Sequence, residues 1–243
     1  MTNHKAVWRC FKTSTSLLKS FMNNSSDSNA EAKKNCQQCP RLVDYRHANR
    51  TEHPDWFNGA VPSFGQENSE VLIVGLAPGV TGANRTGRPF TGDWAGDLLY
   101  ATLAKFNLSE GQYDRRPDDG LRLKKVMITN AVRCVPPQNK PTPAEIKTCR
   151  PFLTARLNTL PHLKVILALG KIAHDSTIAA LGLRLKDYPF GHANRHDIPV
   201  DETMTRPPVI FDSYHCSRYN TNTRRLTPEM FENVFEKICA ELN

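Results

Sequence analysis

The chain has 243 residues, a hydrophobic fraction of 39% and a formal net charge of +8 at pH 7. This length is enough for one substantial hydrophobic core, and no apolar run reaches the roughly 20 residues that a membrane-spanning helix needs, so we expect no membrane insertion. The positive charge favours a polyanionic partner such as nucleic acid, although many basic proteins bind none.

The first thirty or so residues are basic and polar, with no acidic residue before Asp27. This composition suits a transit peptide or a flexible basic tail, and nothing marks a cleavage site, which favours the tail. We therefore predict a basic flexible extension over residues 1–34 and one folded domain over residues 35–243. We expect a cytoplasmic, nucleoid-associated protein, with organellar targeting by the N-terminus as the alternative.

From about residue 35 onward, strand-like and helix-like patterns alternate. Short apolar runs predict four buried strands, at residues 71–76, 126–129, 165–169 and 209–211. Helices are predicted from about residue 95 to 106, from residue 142, directly after Gly170, and from residue 227. Thr142 is a strong helix start, because it can cap the helix while Glu145 completes a capping box.

Strands that alternate with helices predict an α/β fold, here an α/β/α sandwich with a central four-stranded, mostly parallel sheet. In such folds, ligands bind at the carboxyl ends of the strands. Three of the four predicted strands end in distinctive polar or glycine-rich sequence, namely residues 75–79 (Gly-Leu-Ala-Pro-Gly), Asn130 and His215. We therefore expect the functional site at this edge of the sheet.

Seven cysteines and no secretory signal argue against a disulfide framework. Cys36 and Cys39 form a C-x-x-C pair in a polar stretch, and Cys134 and Cys149 are separated by fourteen intervening residues, a spacing that no compact zinc knuckle uses. Four thiolates from separate segments can hold a [4Fe–4S] cluster. Spacing alone separates iron–sulfur from zinc only weakly, and buried inert cysteines are the plainer alternative.

Three motifs resemble family 5 of the uracil-DNA glycosylases. The first covers residues 75–79 and 84–93 (Asn-Arg-Thr-Gly-Arg-Pro-Phe-Thr-Gly-Asp), and the second covers residues 131–142. The third covers residues 213–218 (Ser-Tyr-His-Cys-Ser-Arg) with 220–221 and 225–231. The resemblance runs from about residue 35 to the end of the chain. It implies a uracil-DNA glycosylase-like fold and a [4Fe–4S] cluster on Cys36, Cys39, Cys134 and Cys149.

Two departures bear on this resemblance. Family 4 enzymes have an acidic residue shortly after the Pro-Gly of the first motif, whereas residues 80–82 (Val-Thr-Gly) supply none, which points to family 5 and its wider range of deaminated bases. The third motif is usually His-Pro-Ser, and Cys216 holds the middle position here.

The resemblance implies catalytic roles for Asp93, His215 and Asn139. His215 can donate a hydrogen bond to the departing base, and Asp93 can orient water or stabilise the sugar cation. For Asp93 the alternative is a helix N-cap, and for His215 a structural histidine.

Base binding is implied for Gly75, Ala77, Gly79, Phe90 and Asn130. Phe90 resembles the aromatic side chain on which the flipped base stacks, and the amide of Asn130 can read uracil O4 and N3–H together. A core phenylalanine and a turn-forming asparagine are the alternatives.

DNA contacts are implied for Ser217, Arg218, Tyr219 and Asn220, with residues 219–225 entering the duplex. The cluster would staple its flanking segments and present basic residues to DNA: Lys33, Lys34, Arg41 and Arg133.

The sequence thus predicts a monomeric, monofunctional glycosylase that acts on single- or double-stranded DNA containing uracil, and on hypoxanthine, xanthine and ethenocytosine. One alternative is an iron–sulfur nucleic-acid-binding module without catalysis. The other is a strictly uracil-specific, family 4-like glycosylase.

Overall fold

The computed structural model describes residues 30–199 and 207–243. Its strands, in chain order, are β1 (Phe64–Gly65), β2 (Val71–Gly75), β3 (Ser109–Glu110), β4 (Arg122–Leu123), β5 (Val126–Asn130), β6 (Val165–Leu169), β7 (Arg195–Asp197) and β8 (Val209–Ser213). The α-helices are α1 (Pro40–Glu52), α2 (Ala83–Thr86), α3 (Trp94–Lys105), α4 (Pro143–Asn158), α5 (Lys171–Ala180), α6 (Arg218–Asn222) and α7 (Pro228–Leu242). Two 3-10 turns cover Pro137–Asn139 and Leu185–Asp187.

Six strands form the central sheet, in the order β1-β5-β2-β6-β8-β7. The four inner strands are parallel, and the edge strands β1 and β7 are antiparallel to their neighbours. The predicted α/β fold with a mostly parallel sheet is confirmed, whereas the strand count of four was wrong. Edge strands of two and three residues are too short to show an apolar alternation, so no sequence pattern marks them.

Both faces of the sheet are covered, because successive side chains of a strand point to opposite faces. Val71 and Ile73 pack with α3 and α7, and Leu72 and Val74 pack with α4 and α5. The apolar side of α7 is fully buried at Phe231, Val234, Phe235 and Ile238, as its spacing predicts. The sandwich therefore fixes the carboxyl ends of the parallel strands at one edge.

Local capping explains where two of the helices begin. At the start of α4, the Thr142 hydroxyl accepts a hydrogen bond from the Glu145 N–H, and the Glu145 carboxylate accepts one from the Thr142 N–H at 2.7 Å, which confirms the predicted capping box. Thr227 caps α7 in the same way through the Met230 N–H. Helix α1, which begins directly after Cys39, was not predicted from the sequence. No helix in residues 30–199 and 207–243 has the length and apolarity that crossing a membrane requires.

The N-terminal end of the described chain packs against the domain. Ala30 is buried, and its carbonyl accepts a hydrogen bond from Arg133 at 3.0 Å. The Glu31 carboxylate pairs with two buried guanidinium groups, those of Arg156 (2.6 Å) and Arg133 (3.3 Å). Residues 30–34 were predicted as part of the extension, but the contacts of Ala30 and Glu31 show that these two residues pack on the folded domain. Residues 1–29 lie outside the described chain, so the flexible extension stays a prediction there.

Replacement of Glu31 by Gln is expected to destabilise the fold, because it leaves two buried guanidinium groups without their shared carboxylate. Since Glu31 is 34% exposed, the loss in unfolding free energy is expected at about 2 kcal/mol, below the value for a fully buried pair. Chemical denaturation measures it. Glu67→Gln is the matched control, because Glu67 faces the same Arg156 at 3.7 Å but is 80% exposed. Equal stability of the two variants would contradict this account of Glu31.

Candidate active site

A pocket of about 400 Å³ opens at the carboxyl ends of β2, β5 and β8. This is the edge at which the polar strand ends were expected to meet. Its walls bring together three separate segments of the chain. The lining residues are Leu76, Ala77, Pro78, Gly79, Ala83, Phe90, Asp93, Trp94, Ala95, Asn130, Asn139, His215, Ser217 and Arg218.

Gly75 lies beside the pocket, and its lack of a side chain leaves room for two side chains that line the pocket. In the β2–β5 ladder Gly75 pairs with Asn130. A Cβ at Gly75 would stand 2.5 Å from Asn130 Oδ1 and 2.8 Å from the Phe90 ring, so any larger residue would displace both. Asn130 is buried, and its side-chain amide makes no hydrogen bond to the described part of the chain. That amide is therefore free to bind a ligand.

Phe90 is held in an unusual conformation. Its φ of 53° lies in the left-handed region, which a bulky side chain rarely adopts. The Tyr113 hydroxyl supports this turn by donating to the Phe90 carbonyl at 3.3 Å and accepting from the Gly92 N–H at 3.2 Å. The Phe90 ring stacks near the His215 ring, with 5.8 Å between their centroids. Strain of this kind is typical of functional sites and here sets the ring beside His215.

Asp93 is both an N-cap and a pocket residue. Its Oδ1 accepts a hydrogen bond from the Gly96 N–H at 3.2 Å, which caps α3. Its Oδ2 lies against Gly82, where a Cβ would stand only 2.3 Å away. Burial raises the pKa of the Asp93 carboxyl above its ordinary value of 3.8, although N–H groups of Gly96 and Ala95 oppose the rise. The carboxylate is therefore partly desolvated and faces the cavity.

His215 follows β8 and is neutral at physiological pH. Desolvation lowers its pKa to about 4, because no charged group compensates for the burial of an imidazolium. The Asn220 amide donates to the His215 carbonyl at 2.8 Å and holds the loop. Cys216, the unusual residue of the third motif, is completely buried. The Cys216 side chain therefore packs in the main core and does not line the pocket.

The remaining predicted site residues occupy different positions. Asn139 is exposed, lines the pocket, and has a φ of 56° in the turn Pro137–Asn139. Ser217 and Arg218 also line it, and the Ser217 hydroxyl caps α6. Tyr219 and Asn220 do not reach the cavity: Tyr219 points to solvent, and Asn220 supports His215.

Sequence reasoning missed two side chains that the structure brings to this site. Trp94 lies at the pocket wall and directly follows Asp93. A tryptophan next to a candidate catalytic residue at a predicted helix start was an available sequence signal. Tyr113 supports Phe90 from more than twenty positions away along the chain. No local pattern marks that contact.

The four predicted cysteine ligands surround a small cavity between α1 and α4. Leu42, Val132 and Phe152 complete its apolar wall. The Arg133 N–H donates to Cys149 Sγ at 3.3 Å, and Arg46 lies 3.8 Å from Cys134 Sγ. Burial, with smaller contributions from neighbouring cysteines, raises the pKa of Cys39 to about 11. The site thus collects four soft sulfur ligands in an apolar setting.

The sulfur spacing bears on which group can bind there. Four thiolates around zinc, each at about 2.3 Å, stand roughly 3.8 Å apart. Over the described residues, no three cysteine sulfurs lie within 4.8 Å of one another. Every set of three cysteine sulfurs in the described chain therefore includes at least one pair that is wider than this zinc spacing.

Four basic residues near this site were predicted to face DNA, and for Arg133 this prediction was wrong because the residue is buried. Its side chain is 1% exposed and donates to Ser63 Oγ at 2.9 Å, because the Ala30–Glu31 segment covers it. Lys33, Lys34 and Arg41 are exposed, although Arg41 is paired with Glu145 at 2.7 Å.

His174, His196 and Asp212 form a buried polar cluster outside the pocket, with one residue each from α5, β7 and β8. Asp212 accepts hydrogen bonds from His174 at 2.7 Å and from His196 at 2.9 Å. The other ring nitrogen of His174 faces the Tyr188 carbonyl at 2.8 Å, so both nitrogens face acceptors. Burial opposes the charged form, but the hydrogen bonds to Asp212 and Tyr188 raise the pKa of His174 above its ordinary value of 6.5. The hydrogen-bonded cluster ties α5 and β7 to β8.

Comparison with known proteins gives consistent matches. The family model described as uracil DNA glycosylase superfamily matches residues 62–239. A type-5 uracil-DNA glycosylase of Thermus thermophilus is 44% identical over 82% of this chain and 90% of its own length. One of Pyrobaculum aerophilum is 36% identical over 85% and 89%. A type-4 uracil-DNA glycosylase of Pyrobaculum aerophilum is 35% identical over 62% of this chain and 63% of its own.

Proposed function

The chain belongs to the type-5 uracil-DNA glycosylases of the uracil DNA glycosylase superfamily, and from its pocket we propose that it hydrolyses the N-glycosidic bond of deoxyuridine in DNA and leaves an abasic site. The observation that carries this proposal is the convergence of Asp93, Asn130 and His215 on one cavity. The target bond is inaccessible inside a duplex, so the nucleotide must be extruded into this cavity.

Each of these side chains has a chemical task in the proposed reaction. The base leaves as an anion while the sugar becomes an oxocarbenium cation. Water then adds to C1′ of the sugar and gives up a proton, which ends on the departed uracil anion, so the products are free uracil and an abasic site. The neutral imidazole of His215 donates a hydrogen bond to the departing base, and the Asp93 carboxylate stabilises the cation and orients the water. The unpaired Asn130 amide reads the edge of uracil, and Phe90 provides a stacking surface for the ring.

We extend the proposal to other deaminated bases, namely hypoxanthine, xanthine and ethenocytosine. The absence of an acidic side chain at residues 80–82 and the pocket of about 400 Å³ support a broad range. The test is a panel of labelled oligonucleotides, each with one of these bases or uracil, in single- and double-stranded form, treated with alkali to cut abasic sites. Cleavage of uracil alone would indicate strict specificity, and binding without cleavage would indicate a module that only holds DNA.

We also propose that Cys36, Cys39, Cys134 and Cys149 hold a [4Fe–4S] cluster. Four thiolates around an apolar cavity suit this group, and their spacing is wider than a zinc tetrahedron requires. When bound, the cluster would cross-link the segment before α1, the loop after β5 and α4. Its role is structural, and the reaction proceeds through the pocket residues. We further propose that the protein acts as a monomer.

Replacement of Cys134 by Ser is expected to abolish stable cluster binding, because one thiolate ligand is lost. The protein purified under anaerobic conditions would lose its visible thiolate-to-iron absorbance and its iron. Cys239→Ser is the control, since Cys239 lies on α7 and packs against the main core, away from the cavity. Four irons per chain in the control and the wild type are expected. Zinc in place of iron in the wild type would contradict the proposal.

A further inference from the structure

The mouth of the pocket carries an exposed aromatic side chain that the reaction itself does not use. The Trp94 side chain lines the cavity, yet the residue is 46% exposed. An exposed indole is unusual on a monomer surface, since large aromatic side chains are normally buried. Aromatic surfaces beside a nucleic-acid pocket are typical stacking platforms for bases.

The Trp94 indole is held in place from across the pocket mouth. Its Nε1–H donates to Thr221 Oγ1 at 3.1 Å, and the Arg218 guanidinium lies over its ring at 5.5 Å. Both partners belong to α6, which directly follows the loop of His215. The indole and the guanidinium therefore form one preorganised patch, so a ligand would bind without first ordering these side chains.

The patch combines two properties that suit a nucleotide. The indole offers a flat apolar surface, and Arg218 offers an exposed cation that can bind a phosphate. Asp93, directly before Trp94, faces the cavity in which the extruded nucleotide would sit. A platform one residue from Asp93 is within reach of the neighbouring nucleotide and does not compete for the target base.

We propose that Trp94 and Arg218 bind the nucleotide next to the extruded one, with its base on the indole and its phosphate on the guanidinium. This inference rests on the proposed function, since it assumes that a nucleotide is extruded into the pocket. Trp94 is then a positioning residue for DNA. The rival explanation is that Trp94 only bridges α3 and α6 and supports the pocket from outside.

The test measures how tightly several protein variants bind each of two oligonucleotides. One oligonucleotide carries 2′-fluoro-2′-deoxyuridine, whose fluorine disfavours the sugar cation and so prevents cleavage, between two thymidines. The other carries tetrahydrofuran residues, which lack a base, at both flanking positions. Fluorescence anisotropy gives Kd of each for the wild type and for Trp94→Ala, Trp94→Phe and Thr221→Val.

With the thymidine-flanked strand, Trp94→Ala is expected to raise Kd about 10-fold, and Trp94→Phe much less, because phenylalanine keeps a stacking surface. With the strand that lacks flanking bases, the wild type and Trp94→Ala should bind within about two-fold of each other. Thr221→Val removes the acceptor that holds the indole, so on the thymidine-flanked strand it should raise Kd by less than Trp94→Ala does. On the strand that lacks flanking bases it should bind like the wild type.

Equal loss by Trp94→Ala on both strands, or loss on neither, would overturn the proposal, as would a loss by Thr221→Val on the strand that lacks flanking bases. The failure of the proposed function is separable, because it would appear as intact ordinary deoxyuridine in the wild-type cleavage assay whatever the binding data show.

Discussion

Replacement of Asp93 by Asn is expected to lower the single-turnover rate of uracil excision by about 10³-fold, the range typical for loss of a positioned catalytic carboxylate. The variant keeps an oxygen that can accept the Gly96 N–H, so the cap of α3 at 3.2 Å is retained. Only the negative charge next to the sugar is lost. Rapid-quench kinetics with enzyme in excess over a uracil-containing oligonucleotide measure the rate directly.

Asp97→Asn is the matched control for this change. Asp97 lies on the same helix but pairs with Arg115 at 2.6 Å outside the pocket. Its substitution should leave the rate within a few-fold of the wild type. If Asp93→Asn lowered the rate no more than the control does, the catalytic assignment would be wrong and Asp93 would serve only as the N-cap of α3.

Replacement of His215 by Ala is expected to lower the same rate by about 10² to 10³-fold, because a preorganised hydrogen-bond donor to a developing anion is lost. His215→Asn should recover part of this loss, since its amide can also donate. Near-equal Kd values for uncleavable DNA in the wild type and the two variants would place the defect in the chemical step. A wild-type rate in His215→Ala would contradict the assignment.

The pH dependence of the rate distinguishes a neutral from a charged His215. With its pKa lowered to about 4, the imidazole stays neutral above about pH 5, so it contributes no change in rate between pH 6 and 8. Asp93 must be ionised, and its pKa is raised above 3.8, so the rate should fall on the acid side as this carboxyl protonates. The part of the acid limb that comes from Asp93 should vanish in Asp93→Asn, and only the titration of His215 near pH 4 should remain. A rate that falls as pH rises through 6 to 7 would indicate a catalytic imidazolium.

Much of this architecture could be predicted from local sequence signals. The four inner strands are continuous apolar runs, which buried parallel strands require, and the capping residues mark the starts of α4 and α7. The polar strand ends then pointed to the edge of the sheet that holds the pocket. The family resemblance supplied the individual roles of Asp93, Asn139 and His215, which spacing alone does not give.

The features that were missed depend on contacts between distant residues. Arg133 resembles a surface cation in sequence, and its burial follows from Glu31, about a hundred positions earlier. Tyr113 supports Phe90 through a hydroxyl that no motif contains, and Asn220 turns inward to the His215 carbonyl. The edge strands β1 and β7 depend on pairing with their neighbours, because two or three residues have no periodicity.

The central claim is that one cavity at the sheet edge, with Asp93 and His215 in its wall, releases uracil from DNA. The most direct measurement is the chromatographic detection of free uracil from a deoxyuridine oligonucleotide incubated with iron-loaded protein. We expect one uracil per oligonucleotide and an alkali-labile strand from the wild type, and neither product above background from the Asp93→Asn, His215→Ala double variant. Intact deoxyuridine after incubation with the wild type, in single- and double-stranded DNA alike, would contradict the claim.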